Sequence, residues 1–111
     1  MLVRQVEKGQ IMEGLYEFPY FETDEKGITS HEAKEILKNR LNIEGKFVEK
    51  FQPEFHGFTR FQATLHPFIF LCEKANHAEG FIWISLKEIN RLPFSSGHRR
   101  ILNAFLERNG G

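Results

Sequence analysis

The feature that most constrains this chain is a change of hydrophobic period along its length. Ala33, Ile36, Leu37 and Leu41 recur at i, i+3, i+4 and i+8, one stripe of a helix whose wet side carries Glu32, Lys34, Glu35, Lys38 and Asn39. From Lys46 to Phe70 the period falls to two. Phe47, Glu49 and Phe51 alternate with Val48, Lys50 and Gln52, and Phe61, Ala63 and Leu65 alternate with Arg60, Gln62, Thr64 and His66. Ile101, Leu102, Phe105 and Leu106 restore a helical stripe. A chain that switches period in this way has to lay helices against a sheet, so the fold class is α+β, a mixed β-sheet flanked by helices.

Punctuation along the chain places the elements. Leu2 to Glu7 reads as a strand, and Gly9 and Gly14 bracket a turn-rich stretch before Leu15, Tyr16, Phe18 and Pro19. Thr29 and Glu32 have the spacing of a capping box, so a helix starts there. Two strands follow within Lys46 to Phe70, with Pro53, His56 and Gly57 marking a loop between them. Phe68 to Leu71 reads as a continuation or a further strand, and Gly80 to Ile84 as the next. Ser85 and Glu88 form a second capping box for a short helical segment over Leu86 to Leu92, stopped by Pro93. Ser95 or Ser96 caps the last helix, and Gly110 and Gly111 form its frayed end. The chain enters its first strand almost at once, which implies that a segment precedes Met1 in a longer parent protein.

Length and composition bound the function. The 111 residues make a single domain, 1–111, able to bury roughly two-thirds of the unfolded chain's surface. Fifteen Lys and Arg balance fifteen Asp and Glu, which argues against a stand-alone polybasic nucleic-acid binder, since counterion release needs a charge excess. A local basic face remains open. Twelve phenylalanines supply apolar area without a polar handle; Phe47, Phe51, Phe61, Phe81 and Phe105 read as core. The single Cys72 forms no intrachain disulfide, and the apolar runs are too short for a membrane span, so the expected location is the cytoplasm.

No complete active site is legible, so no catalytic residue is assigned. The five histidines are scattered without i, i+3 or i+4 pairing on a helix, and no metal site is expected. His66 reads as a sheet-face residue and His77 as a loop residue. Cys72, in an apolar strand, should be protonated and inert. Glu22, Asp24 and Glu25 crowd a loop, for which a solvated turn is the ordinary explanation. One anion signal remains: Ser96, Arg99 and Arg100 open the last helix, where free amides and guanidinium groups can face a phosphate. A well-capped helix with Arg on its wet side explains the same residues.

Motifs add a resemblance. Gly14-Leu15-Tyr16-Glu17-Phe18-Pro19, after Val3-Arg4-Gln5, resembles the opening of a Nudix-type domain. Nudix hydrolases place a glutamate-rich box on the next helix to hold Mg²⁺. Aligning Asn42-Ile43 with the end of that box puts Glu35, Ile36, Asn39 and Arg40 where Arg, Glu, Glu and Glu would stand. The chain is also similar to the C-terminal Nudix-like domain of MutY-type adenine DNA glycosylases. That family carries F-S-H-F-x-L at the start of a strand, to which the stretch His56-Gly57-Phe58-Thr59-Arg60-Phe61-Gln62-Ala63-Thr64-Leu65 is similar here. It carries W-[IV]-x-L-x-E-[IL], met by Trp83 to Ile89, and L-P-[FL]-[PS]-S-x-x-R-[KR]-[IL]-L, met by Leu92 to Leu102.

The resemblance implies a division of roles. An N-terminal glycosylase domain with an iron-sulfur cluster would excise adenine, and this domain, needing no cofactor, would read 8-oxoguanine in double-stranded DNA. Oxidised guanine turns N7 into an N–H donor and gains a carbonyl at C8, and one hydroxyl can accept from the first and donate to the second. The resemblance gives that contact to Thr59, where the family has Ser, makes Phe58 an apolar wedge, and puts Arg60 where the family has His. Two other classes stay open: a protein-interaction module on a degenerate Nudix fold, and a nucleotide hydrolase using an unusual ligand set such as Glu22, Asp24 and Glu25.

Overall fold

In a computed structural model, the described residues are 1–24, 26–58, 61–73 and 76–108, with backbone alone for 56–58 and 61–63. Strand β1 (Leu2–Gln5) pairs antiparallel with β2 (Tyr16–Glu17) on one side and β7 (Ile82–Trp83) on the other. The β1–β2 turn is closed by Val6 N–H donating to the Leu15 carbonyl at 2.8 Å and Gly14 N–H donating to the Val6 carbonyl at 3.0 Å. Gly14 sits at φ +85°, a conformation in which a side chain would be strained. Parallel pairing among the described residues is confined to a bridge between Tyr16 and Phe94.

Neighbouring residues of β1 feed two separate cores. Val3 packs with Ile89, Phe94 and Leu102, whereas Leu2 packs with Ile43 and Ala78. Successive strand residues point to opposite faces, so β1 is covered on both. One cover is helix α2 (Ser96–Arg108), through Leu102; the other is the segment leaving helix α1 (Ser30–Leu41), through Ile43. Arg4 Nε reaches Glu17 Oε1 at 2.7 Å and ties β1 to β2 at the surface.

Helix α1 begins as its sequence requires. Thr29 Oγ1 accepts from Glu32 N–H at 3.1 Å, and Glu32 Oε1 accepts from Thr29 N–H at 3.1 Å. It ends at Asn42, in the left-handed conformation (φ 54°), whose N–H donates to the carbonyls of Leu37 and Lys38. The second capping box does not form. The segment before Pro93 is a 3₁₀ turn, Ile89–Arg91, with Glu88 at its start and no side-chain cap. Backbone donations from Glu88 and Ile89 to the Ser85 carbonyl close it instead; a turn this short leaves the box no helix to cap.

Between α1 and β7 lie two two-stranded antiparallel sheets rather than two strands around a loop, and Phe51 N–H donating to the Pro67 carbonyl at 3.0 Å joins them into one ribbon. Its base is β3 (Lys46–Lys50) against β6 (Phe68–Leu71), and its outer part is β4 (Glu54–Phe58) against β5 (Phe61–Leu65). His56 and Gly57, expected in a loop, are strand residues paired with Ala63 and Gln62. Pro53 lies in the short connection between β3 and β4, where a missing N–H breaks no ladder. The register shifts at Val48, a β-bulge. His66 lies in the connection between β5 and β6 and is exposed, not on a sheet face. Of the phenylalanines read as core, Phe51 is buried and Phe81 and Phe105 are half-buried. Phe47 is 40% exposed, because the ribbon face it occupies is not closed over. The Phe61 side chain lies outside the described residues, as do Gly110 and Gly111.

Candidate functional site

The motif Phe58-Thr59-Arg60 begins at the last residue of β4. The ladder of β4 and β5 runs out to the pair Phe58↔Phe61. Thr59 and Arg60, and the Phe58 side chain, lie outside the described residues. Helix α2 holds the ribbon at the start of β4. Arg100 Nε donates to Glu54 Oε2 at 3.1 Å, and its Nη2 donates to the Phe55 carbonyl. At the base, Arg108 donates to Glu49 and lies over the Phe51 ring at 5.4 Å. Two arginines two turns apart on one helix face thus grip the same ribbon face. Exposed ion pairs contribute only about 0–1 kcal/mol each, so their effect is to fix where the ribbon lies. From Glu54 to Phe58 the strand runs on by about 14 Å.

The first turn of α2 is built differently from its exposed sequence motif. Arg99 donates from Nη1 to Asn90 Oδ1 at 2.8 Å and from Nη2 to the Leu92 carbonyl at 2.6 Å, and lies over the Phe94 ring at 5.3 Å. Its planar fork secures the 3₁₀ turn against the helix. Ser96 is exposed at the helix start, while Ser95, whose carbonyl accepts from Arg99 N–H at 2.8 Å, buries a hydroxyl with no hydrogen-bond partner among the described residues. His98 is 3% exposed, and its Nδ1 accepts from Phe18 N–H at 3.0 Å. A backbone amide can only donate, so that ring nitrogen carries no proton. Of the residues singled out from sequence, the structure brings Arg100 to the ribbon and commits Arg99 to the turn. Glu54 and the Phe55 carbonyl, the ribbon-side partners, were missed. The sequence carries no hairpin signal here, since Thr59-Arg60 lacks the Gly, Asn or Asp that a two-residue turn favours.

The other chemical candidates are separated in space or engaged elsewhere. Asp24 Oδ1 accepts from Lys26 N–H at 3.0 Å, a turn contact, and Glu22 is exposed; Glu25 lies outside the described residues. Burial pushes the Cys72 thiol above its ordinary range, as expected for an inert cysteine. Among the described residues no three His, Cys, Asp or Glu side chains converge on a point, and no helix is long and apolar enough to cross a membrane. On α1, Ile36 is half-buried, Asn39 is exposed, and the Arg40 guanidinium lies 5.9 Å from the Phe21 ring centre. Glu35 faces His31 at 3.8 Å on the exposed side.

Two comparisons with known proteins bear on this arrangement. A family model described as a NUDIX domain matches residues 1–104. No curated protein matches the chain.

Proposed function

The chain belongs to the NUDIX family, and from that membership we propose that it is the lesion-recognition domain of a MutY-type adenine DNA glycosylase, reading 8-oxoguanine opposite adenine. The observation that carries this reading is the residue set on the family's box helix. Ile36, Asn39 and Arg40 stand where carboxylates would hold Mg²⁺; Ile36 and Arg40 offer a cation no oxygen, Arg40 repels it, and the one amide oxygen of Asn39 brings no negative charge. Hydrolysis through a box-held metal is therefore not the activity assigned to this chain. The motifs ending at Leu65, Ile89 and Leu102, in that order, support the glycosylase family over the rest of the NUDIX proteins.

In this reading the ribbon end meets the oxidised base. Thr59 accepts from N7–H and donates to O8; Phe58 wedges against the neighbouring base; Arg60 contacts a phosphate or base edge. Ser96 and Arg100 take the backbone phosphates nearest α2, Arg100 bridging from its ion pair, while Arg99 holds the turn beneath them. Adenine excision belongs to a preceding helical domain of the same protein, with its iron-sulfur cluster. The missing charge excess then has a reason: a tethered reader gains from effective concentration and leaves most phosphate affinity to its neighbour.

The test is discrimination by the parent glycosylase between 8-oxoguanine and guanine opposite adenine. Thr59→Ala should reduce it by about 1–3 kcal/mol, the worth of one good base-edge contact. Equal loss of affinity on both duplexes overturns the assignment, as does turnover of an oxidised nucleotide by the domain with Mg²⁺ that Thr59→Ala leaves intact.

A further inference from the structure

The ribbon has two faces, and the arginines of α2 engage one of them. Glu49, Phe51 and Glu54 turn toward α2, where Arg108 and Arg100 engage them. The opposite face carries Phe47, Phe68 and Phe70 at the base: Phe47 and Phe70 are cross-strand partners with ring centres 5.8 Å apart, and Phe68 lies 6.4 Å from Phe47. Lys50 joins them, its Nζ 5.4 Å from the Phe68 ring centre. That placement depends on the bulge. Residues 47 and 50 lie on opposite faces of a regular strand, and the extra residue Val48 shifts the phase so that Lys50 shares the face of Phe47. Further out, Phe55 alternates with the α2-facing Glu54 and is 73% exposed.

This face therefore carries a cluster of three rings with a lysine beside it, Phe47 40% exposed and Phe68 and Phe70 half-buried, and a fourth ring, Phe55, 73% exposed further along. The carboxylates of this part of the ribbon, Glu49 and Glu54, are turned to the other side and neutralised by arginines. Aromatic side chains on adjacent antiparallel strands, with a cation beside them and acids turned away, are what unpaired nucleotides need: π faces for the bases and a positive charge for the backbone. A peptide or a second copy of the chain would be served as well by apolar residues alone and gives no use to a bulge that selects a lysine. The geometry points to a second nucleic-acid contact on this face, one that stacks the bases of a single-stranded DNA segment, lesion or no lesion.

The test is fluorescence anisotropy of the 111-residue chain with a labelled oligo(dT) at low salt. Phe55→Ala, at a site where little packing is lost, should weaken binding about fivefold or more, and Phe47→Ala similarly. Lys50→Gln should weaken it and flatten its salt dependence. Thr59→Ala should leave it unchanged, so this surface and the 8-oxoguanine contact fail independently. Four results overturn the inference: no binding of oligo(dT); binding that the Phe47, Lys50 and Phe55 substitutions leave intact; tighter binding of oligo(U), which would make RNA the ligand; or a dimer in sedimentation that Phe55→Ala dissociates, which would make a second copy the occupant.

Discussion

Helices α1 and α2 are nearly the same length yet are held by different physics. At α1 the reasons are local: a complete capping box at Thr29, a left-handed Asn42 at the end, and an apolar stripe of which only Ala33 is buried. At α2 they are distant. Leu102 is fully buried against β1, His98 accepts from the amide of Phe18, and Arg99, Arg100 and Arg108 reach the 3₁₀ turn and the ribbon. At its start the Ser95 hydroxyl finds no partner among the described residues. The family's chemistry would sit on α1, but the helix that organises this molecule's candidate site is α2. A helix held by its own ends can lose its catalytic residues without disturbing the fold; one held by the rest of the chain cannot be altered so freely.

That contrast can be broken by measurement. Leu102→Ala should destabilise the domain by roughly 2–5 kcal/mol, the cost of a cavity at a fully buried leucine, read as a lower urea midpoint at unchanged slope. A loss as small as that from the half-buried Leu37→Ala would erase the distinction. His98→Ala should cost about 1–3 kcal/mol, since the Phe18 amide is left without its acceptor. Thr29→Ala should cost about 1 kcal/mol, the usual worth of a cap. Ser95→Ala should change stability least, by about half a kcal/mol or less, because its hydroxyl is buried without a partner and its removal relieves desolvation. If Ser95→Ala costs as much as Thr29→Ala, the two helix starts are alike after all.

The legible parts of the fold are those whose causes are close in sequence. Thr29 and Glu32 specify their box because both partners lie within one turn, and the stripe Ile101, Leu102, Phe105 and Leu106 marks α2 without help from elsewhere. Ser85 and Glu88 have the same spacing, and the same rule fails there because Pro93 leaves room for only a 3₁₀ turn. His56 and Gly57 look like loop residues by composition, but their pairing with Ala63 and Gln62 outweighs it. Phe47 looks like core by hydrophobicity, yet which ribbon face is covered depends on where α2 lies.

By itself, the sequence determined that a sheet and two amphipathic helices must combine, that α1 starts at Thr29, and that the box helix carries Ile36, Asn39 and Arg40 in place of carboxylates. Periodicity, capping and side-chain identity act over a few residues and need no knowledge of the rest of the chain. Only the tertiary structure decided that β3 pairs with β6 and β4 with β5, that Arg100 and Arg108 pin one face of these pairs, that Arg99 serves a turn, and that a bulge at Val48 brings Lys50 over the Phe68 ring. Those outcomes depend on register and on which face meets which helix. A one-residue shift reverses every side chain on a strand, and the selection between the two faces is made by packing partners up to 59 residues away.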